Sequence, residues 1–107
     1  MDQPQIPIER VLNALGDPTR RRILEMLTDR PYSVSHLARP LGITLTAVGQ
    51  HLQILEESGL VLTEKFGRVR LCKIETAGLD VLEKWIRDRR PAWEKRLDEL
   101  TRLLDEV

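Results

Sequence analysis

The chain has 107 residues, which suffice for one domain with its own apolar core and leave no room for a second full core. Hydrophobic residues make up 41% of the chain and charged residues 32%, which excludes a disordered protein and is typical of a small domain of short helices. The formal net charge is zero, the single Cys72 excludes an internal disulfide, and no run approaches the ~18 apolar residues of a membrane span, so we expect a cytoplasmic protein.

The first two predicted elements are helices. In IERVLNAL the apolar residues recur at helical spacing, and Gly16 is typical of the position that follows a helix C-terminus. A second helix is expected in DPTRRRILEMLTD, with Asp17 as its N-cap and Pro18 at its first position. Pro31 then marks its end.

Two further helices follow at the spacing of a helix-turn-helix unit. The segment SVSHLARPLG starts with a capping Ser33 and is cut short around Gly42. The segment TLTAVGQHLQILEESG is capped by Thr44 and closed by Gly59. The PLGI link between them has the length of a helix-turn-helix connection, which places this unit at about residues 33–59.

A hairpin follows the fourth helix. The segment LVLTEKFGRVRLCKI alternates in polarity and turns at Gly67, which predicts two antiparallel strands at about residues 60–75. The whole order predicts a mainly α protein, a winged helix-turn-helix of order α-α-α-α-β-β-α that forms a single domain over residues 1–107, with a long C-terminal helix.

The last third of the chain carries two heptad-like apolar seams. Pro91 lies between them, so either one long helix kinks there or a second helix begins. A single chain offers the seams little to pack against, and the first helix has a comparable apolar face, so we expect both ends of the chain to form a homodimer. In the alternative, the tail folds back on its own domain. The predicted interface residues are Ile8, Val11, Leu12, Leu15, Leu82, Trp85, Ile86, Trp93, Leu97, Leu100 and Leu104.

The fourth helix has an uncharged polar face, which becomes visible when it is projected at ~100° per residue. Thr46, Gln50 and Gln53 lie opposite the predicted core face. Such short hydrogen-bonding groups suit the base edges of a DNA major groove, whereas an ordinary solvated helix favours Lys and Glu pairs. The predicted core face consists of Leu45, Val48, Leu52 and Leu55, and the candidate DNA contacts on this helix are Thr44, Thr46, Ala47, Gly49, Gln50, His51 and Gln53.

The segments LGDPTRRRILEML, LARPLGITLTAVGQHLQILEESGLV and GRVRL together resemble the ArsR/SmtB family of bacterial winged-helix repressors. The ending RRPAWEKRLDELTRLL resembles a subgroup with an extended C-terminal helix. The resemblance implies a homodimer joined by the first and last helices, a fourth helix in the major groove, and a wing whose Arg68 and Arg70 reach the minor groove. Gly49 departs from the family, whose members usually carry serine there.

Arginines 20–22 allow two interpretations of equal weight. They either clamp DNA phosphates or form a solvated face with pairs to Glu25. Trp85 and Trp93 belong to the predicted dimer core, and in the alternative a small apolar effector lodges beside them.

Neither of the family's common metal sites is expected, and no cofactor is predicted. Ser33 and Ser35 occupy the aligned positions of the thiolate site, and no histidine follows His51 to supply a site on the last helix. His36 and His51 are predicted as a surface and a packed residue. Cys72 is predicted to pack as a small apolar residue, with a thiol sensor as the alternative.

These features predict a sequence-specific DNA-binding regulator, a homodimeric repressor of a palindromic operator that does not respond to metals. Its expected partners are double-stranded DNA and a second copy of the chain, and the effector is unidentified. An enzyme is not expected, because no set of acid, base and nucleophile can be assembled. The alternative function is a winged-helix module that binds another protein through the same face.

Overall fold

The computed structural model describes residues 5–107, and within them the predicted order of helices and hairpin is confirmed. The elements are α1 (Ile8–Leu15), α2 (Pro18–Asp29), β1 (Tyr32–Ser33), α3 (Val34–Leu41), α4 (Leu45–Glu57), β2 (Val61–Phe66), β3 (Val69–Ile74) and α5 (Ala77–Asp105). The helix-turn-helix unit is α3 with α4, and we call the β2–β3 hairpin the wing.

Side-chain caps start three of the helices, as predicted. The side chain of Asp17 accepts a hydrogen bond from the Arg20 backbone N–H at 3.0 Å, and this bond lowers the pKa of the Asp17 carboxyl. Ser33 and Thr44 cap α3 and α4 in the same way, at 3.3 Å and 3.1 Å. Each bond satisfies an N–H that the first turn of a helix would otherwise leave unpaired.

Glycines set two of the turns. Gly42 has φ +67° and ends α3, which allows the short connection into α4. Gly67 has φ +61° at the first position of the two-residue hairpin loop, as a type II′ turn requires. Gly16 ends α1 as predicted, with a right-handed backbone at φ −73°.

Over residues 5–107 the sheet has three strands, in the order β1-β3-β2, so the predicted two-strand hairpin is confirmed as β2–β3 and the sequence missed β1. The extra strand β1 pairs antiparallel with β3, with Tyr32 opposite Cys72 and Ser33 opposite Leu71. A strand of two residues is too short to show a period in the sequence. It forms because the backbone between α2 and α3 lies along the free edge of β3.

The core lies between α2, α3, α4 and the sheet. Its buried residues form one cluster: Ala14, Ile23, Leu27, Leu37, Leu41, Val48, Leu52, Leu55, Leu60, Val61 and Cys72. Val11 is also fully buried within one chain, so it has no surface left for a partner and its assignment to the dimer interface is corrected. Cys72 packs as an apolar residue, as predicted.

α5 is one continuous helix of 29 residues with Pro91 in its interior, so the chain does not break there. At 1.5 Å per residue it is roughly 44 Å long. Its first half packs against α1, whereas Trp93, Leu97 and Leu100 in its second half are 59%, 63% and 52% exposed. The alternative in which the tail folds back on its own domain therefore holds for the first half of α5 and is wrong for the second half. Over residues 5–107, none of the helices is both long and apolar enough to cross a membrane.

Candidate nucleic-acid interface

The outward face of α4 carries the polar residues that the sequence predicted. Thr46, Gln50 and Gln53 are exposed, while Val48 and Leu52 on the other side are buried and fix the helix in the core. The Gln53 amide donates to the Glu57 carboxylate at 3.3 Å. Because Thr46 and Gln50 are exposed, α4 presents their polar groups to solvent.

Leu45 does not belong to the core, contrary to the prediction, because its side chain is 55% exposed. It is the first residue of α4, and helix side chains point toward the N-terminus, so this one extends past the core. Leu45 lies instead with Arg68 and Val69 along a groove of about 760 Å³ between the wing and the start of α3.

His51 and Ala47 are half-buried on the flank of α4. The Nδ1 atom of His51 lies 3.4 Å from Nη1 of Arg20, so its ring faces α2. His51 was proposed as a DNA contact, and the structure removes it from the outward face. Its packed position agrees with the sequence argument that it lies near the core edge.

Gly49 is exposed on the edge of the outward face, facing the wing. A Cβ atom added there would meet no heavy atom within 4 Å. Packing within the free protein therefore does not require glycine at this position, although glycine costs helix stability.

Gly49→Ala should raise the free energy of unfolding by about 0.5–1 kcal/mol, because alanine favours the helix and restricts the unfolded chain. Gly42→Ala is a matched control, since its added Cβ also meets nothing within 4 Å but its φ is +67°. That variant should lose stability because the left-handed backbone strains alanine. Urea denaturation of both variants measures the two shifts. A loss of stability in Gly49→Ala would show that glycine is needed in the free protein.

The wing carries three cations near its tip. Arg68 lies in the two-residue loop and is exposed, and Lys65 stands directly opposite Arg70 in the strand register. Sequence reasoning missed Lys65, although the alternation of VLTEKF places it on the same face as Thr63. Glu64 faces the other way and pairs with Lys73 at 3.2 Å. The tip therefore presents a positive surface of the kind that attracts phosphates.

Arg70 is turned toward α4 rather than held free on the wing. Its Nη1 donates to the Thr63 hydroxyl at 3.0 Å, and that hydroxyl donates to the Glu56 carboxylate at 2.7 Å. The two wing arginines that the sequence treated alike therefore have different surroundings.

Each of arginines 20–22 binds a backbone carbonyl near a helix C-terminus, and Arg21 and Arg22 are exposed, as the solvated-face interpretation predicted, whereas Arg20 is buried and follows neither interpretation. Arg20 is only 8% exposed and donates to the carbonyls of Asn13 and Ala14, both at 2.9 Å. Arg21 donates to the Leu15 carbonyl at 2.6 Å and Arg22 to the Pro40 carbonyl at 3.0 Å. These residues therefore stabilise the ends of α1 and α3.

The structure also bears on metal and redox chemistry. The Ser33 and Ser35 hydroxyls share a hydrogen bond at 3.3 Å, and residues 5–107 contain no group of three His, Cys, Asp or Glu that could hold a metal ion.

Burial, with a smaller contribution from Glu56, raises the pKa of Cys72 to about 11. Since the thiolate is the reactive form, this buried thiol is unsuited to the sensor alternative.

Trp85 and Trp93 form an edge-to-face pair on α5, with ring centroids 5.8 Å apart. The Arg89 guanidinium lies over the Trp85 ring at 4.5 Å. The pair borders a notch of about 290 Å³ that also contains Ile86 and Leu97. This notch lies on the exposed apolar seam, so the same surface could contact the partner of the predicted dimer or bind the small apolar effector of the alternative.

Known proteins share this architecture. A family model described as a helix-turn-helix domain matches residues 15–64. The HTH-type transcriptional regulator Rv2034 of Mycobacterium tuberculosis is 35% identical over 97 residues, which cover 91% of this chain and 88% of the relative. A crystal structure of an ArsR family transcriptional regulator is 39% identical with a TM-score of 0.75, over 81% of this chain and 96% of the neighbour.

A third likeness comes from Mycobacterium bovis. The solution structure of the homodimeric winged helix-turn-helix DNA-binding domain of a possible ArsR-family regulator is 29% identical with a TM-score of 0.63, over 78% of this chain and 80% of that one. These relatives are regulators rather than enzymes. On this evidence the chain belongs to the ArsR family of winged helix-turn-helix transcriptional regulators, which bind DNA.

Proposed function

We propose that this protein is a homodimeric, sequence-specific repressor that binds a palindromic operator and does not respond to metal ions. The observation that carries the proposal is the outward face of α4, where Thr46 and Gln50 are exposed beside a cationic wing tip. A glutamine amide can pair with both polar atoms of an adenine edge, and threonine can offer its hydroxyl or its methyl group. We assign base reading to these two residues and phosphate binding to Arg68.

The exposed apolar surfaces support a dimer. The seam on the outer half of α5 extends beyond the body of the protein, and Leu12 on α1 adds a further exposed leucine. A two-fold dimer places one α4 in each half-site, so its operator should be palindromic with half-site centres about 34 Å apart. A dimer lying across both half-sites denies the same DNA to other proteins, and repression is the direct consequence.

Selection of the DNA fragments of the source genome that the protein binds tests this proposal directly. We expect selection of bound fragments, followed by sequencing, to return a shared inverted repeat. Dimers of Gln50→Ala should enrich a weaker or altered repeat. If the wild-type protein enriches no common sequence at physiological salt, the proposed function is wrong.

Independence from metals gives a separate prediction. Zinc, cadmium or arsenite should leave operator affinity unchanged, because hydroxyls stand where the family's thiolate site needs sulfur and hydroxyls bind soft ions poorly. Fluorescence anisotropy of a labelled operator, titrated with each ion and then with a chelator, measures the effect. A release of DNA by more than about tenfold, or 1.4 kcal/mol of coupling, would contradict this part of the proposal.

A protein-binding role is the second candidate, and one observation favours it. Phe66 and Val69 on the wing and Leu45 beside it are exposed apolar residues, at 58%, 47% and 55% exposure. Protein interfaces favour such side chains, whereas a DNA backbone needs cations. Under this alternative the genomic selection finds no shared sequence, so the same experiment separates the two functions.

A further inference from the structure

The outer part of the wing lacks support from the rest of the sheet. β1 pairs with β3 only at Cys72 and Leu71. From Arg70 to the tip, β3 pairs with β2 alone among the described residues, so this part of the wing is a two-stranded ribbon. A lone two-stranded ribbon is marginally stable in water. Something else must hold this ribbon if Arg68 at its tip is to have a defined position.

A chain of two hydrogen bonds joins this ribbon to α4. Arg70 donates to the Thr63 hydroxyl at 3.0 Å, and Thr63 donates to the Glu56 carboxylate at 2.7 Å. The strand register explains the contact, since Thr63 stands opposite Cys72 and Arg70 is the next residue on the same face of β3. Over residues 5–107, this is the one side-chain hydrogen-bond path between the wing and α4.

A small rotation of the ribbon displaces its tip by several ångströms. Thr63 and Gly67 are four residues apart, which corresponds to about 13 Å of strand. Over that length a tilt of about 15° moves the tip by roughly 3 Å, a whole hydrogen-bond length. A bond at Thr63 therefore controls whether the Arg68 guanidinium can reach a phosphate while α4 lies in the adjacent groove.

We propose that Arg70 and Thr63 brace the wing against Glu56 of α4 and thereby position Arg68 for the DNA backbone. Arg70 is then a positioning residue, and Arg68 is the phosphate contact. The inference rests on the proposed DNA-binding function. It also assigns Glu56 a role, since its carboxylate accepts the bond from Thr63 that joins the wing to α4.

Salt dependence of operator affinity tests the brace, because each phosphate contact contributes about −0.9 to the log–log slope. Arg68→Ala should flatten the slope by about 0.9 per subunit. Thr63→Val changes no charge, yet it should weaken binding and move the slope toward that of Arg68→Ala. Thr63→Ser keeps the hydroxyl and should bind like the wild type. In the Arg68→Ala background, Thr63→Val should cause no further loss, because it acts through Arg68.

The competing role for Arg70 gives a different pattern. If Arg70 itself contacts phosphate, Arg70→Ala flattens the slope even in the Arg68→Ala background, and Thr63→Val leaves both affinity and slope unchanged. Either of these results overturns the brace. Thermal unfolding of every variant ensures that the DNA titrations are made on folded protein.

A measurement without DNA separates failure of the brace from failure of the proposed function. Amide hydrogen exchange should become faster between residues 64 and 70 in Thr63→Val, with the exchange of core amides unchanged. Thr63→Ser should keep the wild-type rates. Unchanged exchange in Thr63→Val overturns the brace whatever the DNA result. Absence of specific binding by the wild type would overturn the proposed function and leave the exchange test of the brace intact.

Discussion

Replacing Leu97 and Leu100 together by alanine should turn the dimer into a monomer at concentrations where the wild-type protein is dimeric. Both leucines lie on the exposed seam of α5, and a dimer contains two copies of each. At about 1 kcal/mol for each truncated side chain, the loss sums to ~4 kcal/mol, which corresponds to a roughly thousandfold weaker dimer. Sedimentation equilibrium measures this dissociation constant.

The opposite face of α5 supplies the control. Lys95→Ala with Asp98→Ala keeps the net charge, and both residues lie on the side away from the seam at ~100° per residue. That variant should stay dimeric. Operator affinity of the seam variant should fall by at least about a hundredfold, since two linked half-site contacts become separate ones. A seam variant that remains dimeric with wild-type affinity would show that the second half of α5 is not the interface.

Arg20→Ala should lower the free energy of unfolding by about 3 kcal/mol, the largest loss expected from an arginine in this chain. Arg20 is buried and holds the carbonyls of Asn13 and Ala14, and its guanidinium also lies 3.9 Å from the Asp17 carboxylate. Truncation leaves the Ala14 carbonyl near the end of α1 without a partner, at about 1–3 kcal/mol if it stays buried, and it removes the charged one of two bonds to the Asn13 carbonyl, which keeps the Gly16 N–H. Guanidinium denaturation measures the loss.

Arg21→Ala is the matched control, because that neighbour makes one exposed hydrogen bond and should cost less than about 1 kcal/mol. Below its melting temperature, Arg20→Ala should bind DNA with the wild-type salt slope. A shallower slope in Arg20→Ala, together with a stability loss no greater than that of Arg21→Ala, would restore the phosphate-clamp interpretation.

Local rules predicted the parts of the fold that local chemistry determines. Asp17, Ser33 and Thr44 each cap the helix that follows, because the bond joins residues three apart. The hairpin turned at Gly67 because a two-residue loop needs a positive φ there. The polar outward face of α4 followed from helical periodicity, which places Gln50 opposite the core.

The errors lie where distant segments meet. Arg20 and His51 are 31 residues apart in sequence, so no helical pattern could show that they pack together. The pairing of β1 with β3 depends on backbone groups that any residue carries. Arg70 was grouped with Arg68 because both are wing arginines, but Arg70 donates to Thr63, whose own acceptor, Glu56, lies on another element.

Pro91 shows the limit of a strong local rule. Proline lacks the backbone N–H and usually kinks or breaks a helix, yet α5 continues through it. The periodicity places Pro91 on the side opposite the apolar seam, and on that side water can bind the carbonyl that loses its partner. The sequence left this point open because the outcome depends on what surrounds the helix.

The central claim is that α4 reads the bases of the operator. The most direct test is to compare how well the wild-type protein and Gln50→Ala discriminate between operator sequences. The wild-type protein and this variant are titrated with the selected operator, with single base-pair changes in each half-site, and with unrelated DNA. If α4 reads bases, Gln50→Ala should lose about 1–3 kcal/mol of discrimination at one base pair per half-site and keep its affinity for unrelated DNA. Arg68→Ala should instead weaken binding to all sequences alike. If Gln50→Ala shows the same order of affinities for these operator sequences as the wild type, and the same free-energy differences between them, the outward face of α4 does not read the operator.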